Sequence, residues 1–441
     1  MKKHTYRAKN INGICIEKLV EELNGVKVVV AVDVAKHDYV VGIAGSDGEI
    51  VEHVKFTHPE QTRAFMDLLE ALRQRGDTEV VLEPTGTYGD ALVEQLFERG
   101  FAVFAMSPKR CHDAAEVFDG VPSLHDAKAT MILARLHVQG LSKSWPRMDE
   151  ARRAMRAAVA RREIYASPLE AHRGRLEALL SRYWPEFGQQ LDLSDCKTGL
   201  ALLVEYPGPE AVAHAPEGAA RRMKQYSQGR LTGEKIAKVL ATARDSLGVP
   251  MCEEERKLLG ALAEEMLELW NEVDHIEDEI ARMAEAYPAS RALSQTVGMV
   301  TSAILVAMLG PASAYRSADA YVKAMGLNLK EHSSGSSKRP GTGLHITKRG
   351  PGVVRKYLFM ATLRLIQRDP VCRAWYERRR AYQRGEKLKA VVALMRKLTR
   401  ALWHVGHGER FDATKLFDTR HLKKRRTAKA DMGRIAKVAA C

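Results

Sequence analysis

The chain of 441 residues carries 69 Lys and Arg against 55 Asp and Glu, a net charge of +14 and a pI of about 9.4. That excess of cations points to an anionic partner, nucleic acid first, and the length suffices for two or three domains. No apolar run reaches the ~18 residues of a membrane span. The basic start MKKHTYRAKN has no apolar stretch behind it, unlike a signal peptide. The six cysteines, at 15, 111, 196, 252, 372 and 441, form no C-x-x-C pair, which argues against a zinc ribbon or a disulfide framework. The expectation is a cytoplasmic protein.

Residues 26–145 read as an α/β domain. Strands are expected at 27–33, 38–45, 50–56, 79–83 and 101–106, with Gly45-Ser46-Asp47-Gly48 as a hairpin turn. Helices are expected at 59–75, at 87–99 with Gly100 as a stop, and at about 124–139. The order β-β-β-α-β-α-β-α fits a ribonuclease-H-like mixed sheet. A dinucleotide-binding fold fits less well, because no G-x-G-x-x-G follows the first strand.

Residues 146–290 change character. Helical patterns dominate, and 259–283 shows a heptad of Leu259, Leu262, Met266, Leu269, Val273, Ile276, Ile280 and Met283, with acids outside it. The seam predicts subunit contacts. The alternative is an antiparallel partner in the same chain, the helix around 151–183. A mixed insertion at 186–250, with Pro207-Gly208-Pro209, lies between the two helices. Residues 291–405 form a third, mainly helical unit. It opens on Val297-Gly298-Met299, continues through an apolar helix, then a Ser/Gly/Lys loop from Glu331 to Gly352, then two basic helices. Residues 406–441 form a basic tail containing Lys423-Lys424-Arg425-Arg426.

Asp33 ends the first apolar strand and Glu83 the fourth. A carboxylate at a buried strand tip is costly unless something pairs with it, and two delivered to one sheet edge suggest a divalent-metal site. Mg2+ suits a few carboxylates plus phosphate oxygens. A third acid is expected among Asp113, Asp119 and Asp126, the last opening a helix with an apolar face. The second constellation is the loop Glu331-His332-Ser333-Ser334-Gly335-Ser336-Ser337-Lys338-Arg339, running into Thr347-Lys348-Arg349-Gly350. Serines beside glycine and clustered cations suit a phosphate, and one serine could attack it.

Four segments in order carry a resemblance: VAVDVAKHDYVVGI, LEPTGTYGDALVEQL, SPKRCHDAAEVFDGVPSLHDAKATMILARL, and the stretch from VGMVTSAILVAML to VRKYLFMATL. The chain resembles DEDD-type transposases of the insertion-sequence one-ten family. The resemblance implies a RuvC-like N-terminal domain, a coiled coil and a serine-bearing C-terminal transposase domain. It implies Mg2+-dependent cleavage and rejoining of double-stranded DNA, guidance by a structured bridge RNA, and a homo-oligomer, dimer or tetramer. It places Asp33, Glu83 and Asp126 on the first three acids and Ser334 on the nucleophile. Two positions depart from the pattern: Ala129 stands where the fourth acid is expected, and Thr296 replaces a glycine.

The reading is a transposase or recombinase. Asp33, Glu83 and Asp126 hold Mg2+, Ser334 attacks phosphorus, and Lys338, Arg339, Lys348, Arg349, Arg355, Lys423, Lys424, Arg425 and Arg426 neutralise phosphates. Ser334 is expected to approach Asp33 only in the assembled, nucleic-acid-bound state. The rivals are a catalytically degenerate nucleic-acid-binding protein, which Ala129 favours, and a structure-selective nuclease that uses water.

Overall fold

The run Val28–Asp33 is the central strand of a seven-stranded mixed sheet in the computed structural model, which describes residues 7–84, 86–121, 125–330, 345–382 and 386–417. The chain divides into two units, Met1–Arg147 and Met148–Cys441. In the first, β1 (Lys9–Asn10) and α1 (Ile16–Glu22) precede β2 (Val28–Asp33), β3 (Asp38–Ala44) and β4 (Ile50–Thr57). Then follow α2 (Thr62–Arg73), β5 (Thr78–Leu82), α3 (Asp90–Glu98), β6 (Ala102–Ala105), α4 (Pro108–Asp113), α5 (Asp126–Val138) and β7 (Lys143–Ser144). The sheet order is β1-β4-β3-β2-β5-β6-β7. β2, β3 and β4 form an antiparallel meander, and β5 and β6 continue the sheet parallel to β2. This is consistent with the RuvC-like sheet that the resemblance implies.

Side-chain alternation splits the strands between two cores. Val28, Val30 and Val32, with Val80 and Leu82, pack against α1, α2 and α3 through Leu19, Leu69 and Leu96. Val29, Ala31 and Val81 pack on the other face, against Cys111 of α4 and Ile132, Leu133 and Leu136 of α5.

The second unit is helical. It comprises α6 (Glu150–Tyr183), α7 (Phe187–Gln190), α8 (Lys197–Glu205), α9 (Pro209–His214), α10 (Pro216–Tyr226), α11 (Gly233–Arg244), α12 (Glu253–Ala286), α13 (Pro288–Val297), α14 (Met299–Leu309) and α15 (Ala318–Ala324). A two-stranded ribbon of β8 (Leu329–Lys330) and β9 (His345–Ile346) precedes α16 (Gly352–Arg368), α17 (Pro370–Tyr382) and α18 (Lys387–Gly406). No helix among the described residues is long and apolar enough to cross a membrane.

The heptad seam of α12 is covered from within the chain. Arg161–Glu279, Arg162–Glu277, His172–Glu265 and Tyr183–Glu255 pair α6 with α12 in antiparallel register. Leu259, Met266, Val273, Ile276 and Ile280 are all buried. Of the two expectations for the seam, the structure shows the antiparallel partner within the chain: heptads specify that a stripe is covered, not by which chain. Both helices, 34 residues each, serve two cores. Met155, Val159, Ile276 and Ile280 join α13–α18, whereas Leu176, Leu180, Leu259 and Met266 join α7–α11.

Ile276→Ala is expected to destabilise the second unit by about 2–4 kcal/mol, the usual cost of a buried Ile cavity. Urea denaturation measures the loss, and light scattering should show an unchanged molecular mass.

Candidate active site

Asp33 is the last residue of β2, and Glu83 directly follows β5. The two strands are adjacent and parallel, with Val32 opposite Leu82, so the acids occupy neighbouring positions at one sheet edge. Alternation turns both toward the face that carries Val29, Ala31 and Val81. That is the face α5 covers. Asp126 opens α5, and the sheet-facing stripe continues through Thr130, Leu133 and His137 at helical spacing.

Two anchors fix α5 along the strands. At its far end, His137 Nε2 lies 2.9 Å from Glu79 of β5 and Nδ1 lies 2.7 Å from Ser142 Oγ. Lys27 also pairs with Glu79, at 2.9 Å. At its near end, His53 of β4 bonds the Ala127 carbonyl at 3.1 Å, and the His125 ring accepts from the Lys128 amide at 3.2 Å as N-cap. Gly42 of β3 lets the helix approach: a Cβ there would lie 2.8 Å from Thr130 Oγ1 and 2.7 Å from Ile50 Cδ1.

The three carboxylates feel one another. Burial, then the charges of Asp126 and Glu83, push the Asp33 carboxyl up to about 6. Cys111 of α4 hydrogen-bonds Glu83, and its thiol is pushed up, first by burial and then by the Glu83 charge. Asp113 and Asp119, the other candidates for the third acid, have structural partners. Asp113 pairs with Lys109 at 2.6 Å. Asp119 pairs with Lys128 at 2.8 Å, which holds its carboxyl below the ordinary range. Lys128 is 1% exposed and also donates to the Val121 carbonyl. A buried lysine inside a helical pattern reads as a solvated side chain in sequence, and only the chain's return past Asp119 reveals its role.

Three hard oxygen donors at one edge, one of them held up by burial and like charge, fit a divalent cation. Among the described residues, no three His, Cys, Asp or Glu side chains converge as they stand on a metal-holding position. Ala129 lies one turn beyond Asp126 and is half-buried.

The second constellation is described only at its base. Ser334, Lys338 and Arg339 lie outside the described residues, as do Lys423, Lys424, Arg425 and Arg426. The segment carrying Ser334 leaves from Lys330 and returns at His345, and these two residues are paired across the ribbon. Lys348 and Arg349 are exposed. Close backbone approach holds this loop to the end of α15, since a Cβ on Gly326 would lie 2.8 Å from the Arg349 nitrogen. Arg355, expected on phosphate, donates through Nη1 to the carbonyls of Gly350 at 2.7 Å and Met325 at 3.4 Å. At the turn containing Thr296, Arg364 bonds the Val297 carbonyl and Thr301 Oγ1, and Gly298 adopts φ 85°.

Residues 30–185 match a transposase family model of the DEDD, IS110 type. Residues 294–377 match a second model, described as transposase IS116/IS110/IS902 family. The chain carries the two domains of IS110-family transposases. A Streptomyces coelicolor relative, named insertion element IS110 uncharacterized 43.6 kDa protein, is 24% identical over 211 residues. The alignment covers 47% of this chain and 51% of that protein, so the chain spans about half the length of the curated relative it matches. The first IS110-family match contains Asp33, Glu83 and Asp126, and the second contains Ser334 and helices α14–α16.

Two outcomes test the site's physics. Because burial and like charge raise the Asp33 carboxyl from its ordinary 3.8 to about 6, its contribution is favourable at low pH and is lost as pH rises to about 6. Asp33→Asn should therefore stabilise the metal-free protein by about 1–2 kcal/mol above that pH, after discounting for solvent screening. The advantage should fade on acidification toward pH 4 in urea titrations. Gly42→Ala should destabilise the first unit by about 1–3 kcal/mol through overpacking against α5, read as a lower melting temperature.

Proposed function

We propose that the chain is a transposase of an insertion sequence that cleaves and rejoins double-stranded DNA. What supports the reading is the electrostatic coupling of Asp33 to both Glu83 and Asp126, in a chain with both IS110-family domains. Asp33, Glu83 and Asp126 would hold Mg2+. Bound there, the ion supplies polarisation of the scissile phosphate and stabilisation of the leaving oxygen.

Ser334 is the nucleophile. Its oxygen bonds to phosphorus while a bridging P–O bond to the deoxyribose breaks, and the serine proton passes to a base or to water. The phosphoserine link conserves the phosphoester, so a second strand's hydroxyl can displace the serine and rejoin DNA without an external energy source. Lys338, Arg339, Lys348 and Arg349 neutralise phosphate charge, with the tail residues Lys423, Lys424, Arg425 and Arg426 adding non-specific attraction. Arg355, whose Nη1 also holds the loop through the Gly350 carbonyl, adds its remaining guanidinium donors to these cations. A structured RNA encoded by the element guides the protein, which works as a homo-oligomer, and the cytoplasm is its place of action.

Ala129 supports a second reading, a nucleic-acid-binding protein without cleavage. Denaturing electrophoresis with end-labelled DNA separates the two. With Ala129→Asp in the background, a covalent protein–DNA adduct should form, vanish in Ser334→Ala and persist in Ser333→Ala. Cutting without an adduct, unaffected by Ser334→Ala, would mean a hydrolytic nuclease. No cutting or adduct with or without Ala129→Asp would favour the binding protein.

A further inference from the structure

The α17–α18 face concentrates cations beyond what its own carboxylates offset. Lys397 of α18 stands between Arg400 and Arg379, and Arg396 stands beside Arg400. Burial, then this crowding of like charge, holds both Arg396 and Lys397 below their ordinary values. The carboxylate that reaches the cluster is Asp319 of α15, which pairs with Arg400 at 2.7 Å. The Nε atoms of Arg379 and Arg396 are buried and have no hydrogen-bond partner. Lys397 donates to the Leu416 carbonyl at 3.0 Å and lies 5.8 Å and 5.5 Å from the ring centres of Trp375 and Phe417. Next to Arg379, the Tyr382 ring lies 5.5 Å from the guanidinium and is 80% exposed.

Each of these features is unfavourable to the folded chain alone. Crowded, half-buried cations repel one another, and buried donors without acceptors lose hydration without compensation. A phosphate offsets the crowded charge and brings several acceptor oxygens to the outer nitrogens of the planar guanidinium groups. An exposed aromatic ring beside the cations adds a surface on which a base can stack. Bases present their faces in single strands and hide them in duplexes.

We propose that Arg379, Arg396, Lys397, Arg400 and Tyr382 form a binding site for single-stranded nucleic acid, the cations on successive phosphates and the tyrosine on a base. The site rests on the proposed function only for the identity of its ligand, and it uses none of the residues that reading assigns to catalysis.

The test is fluorescence anisotropy of the intact protein with labelled oligo(dT), oligo(U) and a duplex, across a salt series. Arg379→Gln combined with Arg396→Gln should weaken single-strand binding at least tenfold. It should also reduce the slope of log K against log salt by about 1.4, at roughly 0.7 per lost phosphate contact. Tyr382→Ala should weaken single strands about fivefold or more and leave duplex affinity unchanged. Lys257→Gln, which removes an exposed charge paired with Glu253 and Glu254, should change neither. Tighter binding of oligo(U) would identify RNA as the source of the strand, and tighter binding of oligo(dT) would identify DNA. Thermal melting verifies that each variant is folded. Folded double variants that bind single strands with parental affinity and slope overturn the site, as does a folded parent that binds no single strand. Failure of duplex cleavage with single-strand binding intact would sink the transposase reading and leave this site standing.

Discussion

The parallel pairing of β2 with β5 is the constraint on which the first unit depends. One register, Val32 opposite Leu82, makes Asp33 and Glu83 neighbours and turns both to the α5 face. A slip of one residue would send an acid into the apolar core shared with α2 and α3. The apolar alternation along both strands forbids that slip, because Val30, Val32, Val80 and Leu82 would leave their core at the same time. Charge at the edge is thus held in place by hydrophobic burial along the strands.

The third acid depends on a different device. Asp126 sits at the height where α5 begins, and both ends of α5 are fixed to the sheet by polar contacts, through His137 to Glu79 and through His53 to Ala127. Lys128 ties the approach segment down from beneath, through Asp119 and the Val121 carbonyl. The helix packs closely at Gly42. Together these contacts hold three like charges in proximity, an arrangement that is unfavourable for the folded chain by itself and that a bound cation would relieve.

Much of the first unit was legible in the sequence because its strands alternate cleanly and end in turn residues. Asp33, Glu83 and the α5 stripe could be read by that logic. β1 could not: Lys9–Asn10 is a two-residue pairing that only its distant partner β4 defines. Lys128 was invisible because its burial comes from a chain return and not from its own helix. The α12 seam announced that a partner existed and left two candidates, a second subunit and the helix around 151–183, which is α6. The sequence around Arg355 carries no sign of the Gly350 and Met325 carbonyls that its Nη1 meets. The α17–α18 cluster escaped notice for a related reason, since its cations are separated in sequence and meet only when the two helices pack.

The antiparallel α6–α12 pair has a consequence for how such a chain can vary. The lobe of α7–α11 is inserted at the tip of the hairpin, and the two matched regions, 30–185 and 294–377, leave all of it out. The hairpin is therefore a spacer of adjustable length. Adding a heptad to each helix would carry the lobe outward by about 10 Å, with a residual rotation of only about 20°. Distance could be tuned in such steps with the interdigitation at the root left intact, whereas additions that break the heptad would also swing the lobe around the axis.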